Sequence, residues 1–419
     1  MKVTYSRRDF LASAGAIGVS LFLPSGKNRF VPAAEANLLA RNRNVLVVVF
    51  LRGGFDGLGL ICPTQSPDRG IYEAARPNIG ISLQGPHAAI PLNDSFALNP
   101  AAKPLLNLFE QKQLAFVHAC GLSTPSRSHF VAQTQVDLGN SRANEFSNGW
   151  LTRFLQSAHC KTAAIGSLKP SSLLGNEEAL VLPRFRNLGL DGSQLQQRQL
   201  RTALRGLYTQ NNEQTKYGIS ALNALDEIES LSLPSLARTL PELPQGEIAQ
   251  KFALASRLIK HDRNLGLLTL DIGGWDTHRQ QGTTGDGYFS KQLNSLSQAL
   301  ADFHTETLSA SDAWVTTIVF SEFGRRLKEN ASRGSDHGHG NVALLLGSNV
   351  KGGQFHGQWP GLSHDKLFER SDLAATTDLR LIFSEFLKLR EPEIQFERIF
   401  GKSIPRVGLD LFHHVSVVH

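Results

Sequence analysis

A set of short apolar runs constrains this chain more than any other feature. They are Asn44-Val-Leu-Val-Val-Val-Phe-Leu51, Leu114–Cys120, Asn264–Asp271, Trp314–Phe320 and Val342–Leu346. Each is apolar at nearly every position rather than at alternate ones, the pattern of a strand buried on both faces. Between the third and fourth, Phe289, Leu293, Leu296, Leu300 and Phe303 recur at helical spacing. That predicts a helix lying on a sheet in a right-handed β-α-β unit. The expected fold class is α/β: a doubly wound, mostly parallel sheet flanked by helices.

The remaining segments fit around that frame. Ala163–Gly166 and Leu180–Leu182 read as short strands. Helices are expected over Pro100–Gln111, from His129, from Asn148 and over Asp372–Leu389, while residues 63–99 read as an irregular excursion. Residues 186–263 are rich in Gln, Leu, Arg, Asn and Glu and poor in β-branched residues. They read as an inserted helical layer, interrupted at Pro234, Pro241 and Pro244.

The start of the chain has its own pattern. Ser6-Arg7-Arg8-Asp9-Phe10-Leu11 is a twin-arginine motif, followed by a weakly hydrophobic run and then Ala34-Glu35-Ala36. Residues 1–36 therefore read as a twin-arginine signal peptide, leaving residues 37–419 as one exported domain with no stable membrane span after processing. The expected location is periplasmic or secreted, with the twin-arginine translocase as the partner in export. The full chain carries a net charge of +6, of which Lys2, Arg7, Arg8, Lys27 and Arg29 against Asp9 and Glu35 supply half. So mild a balance, without a basic run, argues against nucleic acid as a partner. Three cysteines, Cys62, Cys120 and Cys160, lack metal-ligand spacing and permit at most one disulfide within the chain.

Titratable groups gather just past the apolar runs. Asp56 follows the first, in Arg52-Gly-Gly-Phe-Asp-Gly57. The second leads into Ser123-Thr-Pro-Ser-Arg-Ser-His129, a hydroxyl-rich loop before a helix start. Asp276 and His278 follow the third, and Glu322, Arg325, Asp336, His337 and His339 follow the fourth. His356 lies in a later glycine-rich loop. In open α/β sheets ligands bind outside the carboxyl ends of strands, where these groups are expected to sit. Imidazole with carboxylate suits zinc, manganese or iron. A helix start suits an anion, although Ser126 or Ser128 could serve only as a cap.

The segments LRGGFDGL, SRSHFVAQ, LDIGGWDTH, SEFGRRLKENASRGSDHGHG, WPGL and TTDLR together resemble the bacterial DUF1501 family, across nearly all of residues 37–419. That family is placed with alkaline phosphatases, sulfatases and cofactor-independent phosphoglycerate mutases. The resemblance implies two divalent metal ions, zinc foremost, with manganese, calcium or magnesium as alternatives. It implies that Asp56, Asp336 and His337 hold one ion and that Asp276 and His278 hold the other. His339 or His356 would complete the set. It places the nucleophile at Ser126 or Ser128, with Ser123 less favoured. Arg127 would stabilise the ester oxygens, and His129 would either support a site residue from behind or contact the substrate.

The function expected from this combination is metal-assisted hydrolysis of a small or polymeric phosphate or sulfate ester by a hydroxyl nucleophile. Two rivals stand beside it. One is a non-catalytic, metal-stabilised binding or assembly protein, suggested by an Asp-x-His spacing of one residue where the wider group has three. The other is phosphoryl transfer or isomerisation.

Overall fold

The computed structural model describes residues 43–140, 146–182, 193–209, 212–230, 245–310, 313–401 and 408–413. The leader and the prolines at 234, 241 and 244 lie outside the described residues. A nine-stranded sheet forms the centre. Its strands, numbered here in chain order, are β1 (Arg43–Leu51), β2 (Leu114–Gly121), β3 (Lys161–Ile165), β4 (Leu180–Leu182) and β5 (Leu265–Ile272). They continue with β6 (Ala313–Phe320), β7 (Asn341–Leu346), β8 (Phe355–His356) and β9 (Thr377–Asp378). The spatial order is β8-β2-β7-β6-β1-β5-β3-β4, with β9 also paired to β2.

The apolar runs are continuous because each central strand feeds two cores. On β1, Val45, Val47, Val49 and Leu51 point into one cluster, and Leu46, Val48 and Phe50 into the other. The period-two alternation of a strand makes both faces apolar when helices cover both. Helices Glu247–His261 and Tyr288–Ala310 cover the first face through Phe252, Leu258, Leu293 and Leu300. Helices Trp150–Ala158 and Leu379–Lys388 cover the second through Trp150, Phe154, Phe383 and Phe386. Trp150 and Phe383 stack with ring centroids 4.7 Å apart.

All strands of the sheet run the same way except β7, which is antiparallel to both β2 and β6. A parallel return needs a crossover long enough for a helix. The link from Phe320 to Asn341 instead stays at the carboxyl edge, as a hairpin of Arg325–Glu329 with Ser335–His337. The chain therefore re-enters the sheet from that edge and runs backwards.

Several expectations shift. Residues 63–99 contain helix α1 (Asp68–Ala75) and most of a small sheet of Ile61–Pro63, Ile90–Pro91 and Phe96–Leu98. The last long helix begins at Leu379 rather than Asp372, because Thr377 and Asp378 pair with β2 and Asp378 then caps the helix. The described part of 186–263 is helical over Gln194–Leu207, Glu213–Ser230 and Glu247–His261. Cys62 and Cys120 are buried, Cys160 is half-buried, and all three are free thiols. Among the described residues, no helix is long and apolar enough to cross a membrane.

Candidate metal centre

The candidate site lies where β1, β2, β5 and β6 end and β7 begins. β2 leads through a loop to helix α2 (His129–Leu138), which puts His129 at its first turn. β5 leads into Gly273–His278, and Thr277 turns back on Trp275 with an amide-to-carbonyl bond of 3.0 Å. That segment is not a strand, yet its turn brings Asp276 and His278 together, 3.2 Å apart at Oδ1 and Nε2. The hairpin after β6 supplies His337, whose Nε2 lies 3.3 Å from the same Oδ1. His129 Nε2 lies 3.6 Å from the other carboxylate oxygen.

Each imidazole is turned inward by a partner on its outer nitrogen. His337 Nδ1 donates to the Arg127 carbonyl at 2.7 Å. His129 Nδ1 donates to Glu322 at 2.7 Å, and His278 Nδ1 to Asp336 at 3.3 Å. A carbonyl or ionised carboxylate only accepts, so each Nδ1 carries a proton, and each ring in its neutral form presents a lone pair on Nε2. These lone pairs converge. His278 Nε2 and His337 Nε2 are 2.8 Å apart, and His129 Nε2 is buried without a hydrogen-bond partner among the described residues. Acceptors facing acceptors repel unless a proton or a cation lies between them.

The donor atoms of His129, Asp276 and His337 all lie within 4.8 Å of one another. Tetrahedral coordination with bonds of about 2.0–2.2 Å places donors about 3.3–3.6 Å apart, so small rotations suffice. Imidazoles braced by carboxylate or carbonyl, with their far nitrogens free, are the arrangement that holds a metal. The residues present therefore fit a divalent cation.

Electrostatics reinforce the geometry. Burial alone would raise Glu322, but hydrogen bonds from His129, Gln133 and Ser321 bring its carboxyl down to about 2. Its oxygens also accept the Gly53 amide at 3.0 Å. The Glu322 bond in turn raises His129 above the ordinary imidazole value, while burial lowers His337. For Asp276 burial acts upward, and Arg325 outweighs it and holds the carboxyl below the usual range.

Arg325 is fully buried and joins the loops around the site. It donates to the carbonyls of Gly53, Gly54, Trp275 and Ser335 and to Asp276 Oδ1 at 2.7 Å. Gly53 has φ +121°, and a Cβ there would stand 2.7 Å from the Asp276 amide nitrogen. Glycine is therefore needed where the β1 and β5 loops touch.

The other candidate residues lie apart from this cluster. Asp56 is fully buried, and both its oxygens are taken: Arg76 binds them at 2.7 and 3.0 Å and Gln281 donates at 2.6 Å. It closes an ion pair with Arg76. Asp336 reaches the cluster only through His278, and its second partner is Asn330 at 2.9 Å. His339 packs on Phe368, with ring centroids 4.5 Å apart. His356 sits on β8 beside Val117 and bonds the Lys351 carbonyl at 2.9 Å. The Arg127 guanidinium is held by Glu369 and Asp372, so its carbonyl, not its charge, serves the centre. Ser126 Oγ accepts the Ser128 amide at 3.2 Å. Ser128 caps α2 by backbone geometry alone, and its hydroxyl makes no cap bond.

Sequence reading missed the bracing roles of Glu322, Arg325 and Gln133. Glu322 was detectable as a carboxylate two residues past a buried strand, and Gln133 as the helical i+4 neighbour of His129. Gln133 links Glu322 to Arg52, which pairs with Asp137 and Asp271.

No curated protein matches the chain in sequence. Solved structures with some likeness include the C-terminal periplasmic domain of EcEptC from Escherichia coli, in complex with Zn. It has 10% identity, covers 73% of each chain and gives a TM-score of 0.33. The PsFucS1 sulfatase from Pseudoalteromonas sp. has 14% identity and a TM-score of 0.31, covering 92% of this chain and 77% of that one. The lipooligosaccharide phosphoethanolamine transferase A of Neisseria meningitidis has 9% identity and a TM-score of 0.30, covering 73% of this chain and 48% of that one. Residues 43–385 match the model of the family described as "Protein of unknown function (DUF1501)", and the chain belongs to that family.

Proposed function

We propose that the protein is an exported hydrolase of phosphate or sulfate esters that uses one divalent cation, with zinc the best fit to the donors. The carrying observation is the convergence of braced imidazole lone pairs beside the Asp276 carboxylate. His129, Asp276 and His337 are the ligand set. Three protein ligands leave a position open, which distinguishes catalytic from structural zinc. This reading has a single centre where the sequence suggested a pair, and the ion pair that holds Asp56 to Arg76 supports it.

When bound, such an ion supplies a Lewis acid that polarises the ester oxygen and lowers the pKa of a coordinated hydroxyl. The chain's own residues do the rest. Arg325 holds Asp276 so that one oxygen is spent and the other faces the ring of His129. Glu322, Asp336 and the Arg127 carbonyl fix the three ring orientations. Ser128, exposed and one residue before His129, carries the attacking hydroxyl. His278, with a side chain 40% exposed, takes the hydroxyl proton at Nε2 while Asp336 stabilises the imidazolium at Nδ1. As the Ser128 oxygen bonds the phosphorus or sulfur, the ester's alcohol leaves with that proton, and water then cleaves the seryl ester to free Ser128. The twin-arginine motif at Arg7-Arg8 supports export in the folded, loaded state through the translocase, with action in the periplasm.

The test is turnover of p-nitrophenyl phosphate and p-nitrophenyl sulfate by the protein loaded with zinc, manganese or magnesium. The reading expects metal-dependent release of nitrophenol that Asp276→Ala abolishes. Turnover unaffected by Asp276→Ala would remove the centre from the chemistry. Absence of turnover together with tight metal retention would favour a metal-stabilised binding protein.

A further inference from the structure

The segments that follow His278 and precede Asp336 enclose a groove of about 480 Å³, within the size range of small-molecule sites. Its walls continue the two segments that carry the centre. One wall is the turn after His278, with Gln280 and Thr283; the other is the hairpin turn before Asp336, with Ser332 and Arg333. Asn78 and Ile79 close the end.

The walls are preformed. The amides of Gln280 and Gln281 donate to the carbonyls of Ser332 and Arg333, both at 2.9 Å. Glu329 accepts the amides of Asn78 and Ile79 at 2.9 and 3.0 Å. Asn330, at the root of the hairpin turn, donates to the His278 carbonyl and to Asp336, both at 2.9 Å. Asn330 therefore ties the hairpin that forms one wall of the groove to His278 and Asp336.

The lining selects a chemical class. Gln280, Thr283, Ser332 and Arg333 are exposed, and their side chains make no hydrogen bond among the described residues. Amide and hydroxyl groups both donate and accept, as vicinal sugar hydroxyls do. The Arg333 guanidinium adds further N–H donors, which sugar hydroxyl and ring oxygens accept. Among the described residues no aromatic side chain lines the groove to stack a nucleobase, and the apolar ones are Ile79 and Ala331, too few for a lipid chain.

We infer that this groove holds the carbohydrate part of the substrate, a polyhydroxylated ring whose ester group reaches the centre beside His278. The inference rests on the ester-hydrolase reading and names its substrate class.

Binding of a panel of hexose and hexosamine 6-phosphates and 6-sulfates to the metal-loaded protein is measured by calorimetry, beside glucose, inorganic phosphate and inorganic sulfate. At least one sugar ester should bind more tightly than its parent anion or glucose. Ser332→Trp, which fills the groove, and Arg333→Gln should each weaken that binding by about tenfold or more, the scale of one lost polar contact. Metal content verifies that each variant is folded. Equal binding of sugar esters and inorganic anions, no binding across the panel, or full binding by both variants overturns the proposal. Nitrophenyl ester turnover without sugar-ester binding sinks this inference alone. Sugar-ester binding that depends on the groove without any turnover sinks the hydrolase reading instead.

Discussion

Replacing Arg127 by alanine would remove no side chain that faces the cluster. Its guanidinium points to Glu369 and Asp372, and only its carbonyl meets His337. Losing that anchorage should free the loop and let the His337 ring rotate. Metal affinity should fall by about 10–100-fold, the range for bracing groups outside the ligand set, and competition with a chromogenic chelator would measure it. Glu322→Gln should act similarly through His129. Proton linkage gives a second outcome at this scale. Glu322 raises His129, so the metal-free ring keeps its proton above the ordinary value near 6.5. Cation binding must displace that proton, so affinity should weaken as pH falls through this range and binding should release protons into buffer. Asp276 and His278 were legible because both follow a buried strand within a few residues. The fate of Asp56 was not. Its partner Arg76 lies 20 residues on, and no periodicity announces an ion pair between a strand-end loop and a helix end.

Between elements, the ion pair of Asp56 and Arg76 ties the β1 loop to the end of α1. Both side chains are fully buried, and Arg76 also donates to the carbonyls of Arg326 and Leu327 in the hairpin. Arg76→Met would strand a buried carboxylate and should cost about 3–5 kcal/mol in denaturant unfolding. Gly53→Ala tests the contact between the β1 and β5 loops. Positive φ and a Cβ 2.7 Å from the Asp276 nitrogen should lower both stability and metal content. Strands and covering helices were largely legible, since burial on two faces removes polar positions from β1, β2, β5 and β6. The reversed β7 was not, because its apolar run is the same in either direction. Only the absence of a crossover helix between Phe320 and Asn341 encodes it.

For the whole molecule, the carboxylates that shape the site also set its acid limit. Glu322 has a folded pKa of about 2 against an ordinary 4.5. A depressed carboxylate contributes stability that is present above its unfolded pKa and lost as pH falls through the folded one. Asp56 and Asp276 are shifted the same way, so thermal stability should decline steeply below about pH 4.5 in acid titrations followed by circular dichroism. A cation that binds only the folded state should raise the melting temperature, and chelation should lower it.

The most direct measurement is the metal content of the folded protein by elemental analysis, beside an Asp276→Ala/His337→Ala variant. A mononuclear centre predicts a single equivalent in the parent, none in the double variant, and an unchanged single equivalent in Ser128→Ala. Two equivalents in the parent, or a full equivalent kept by the double variant, would contradict a centre built on His129, Asp276 and His337.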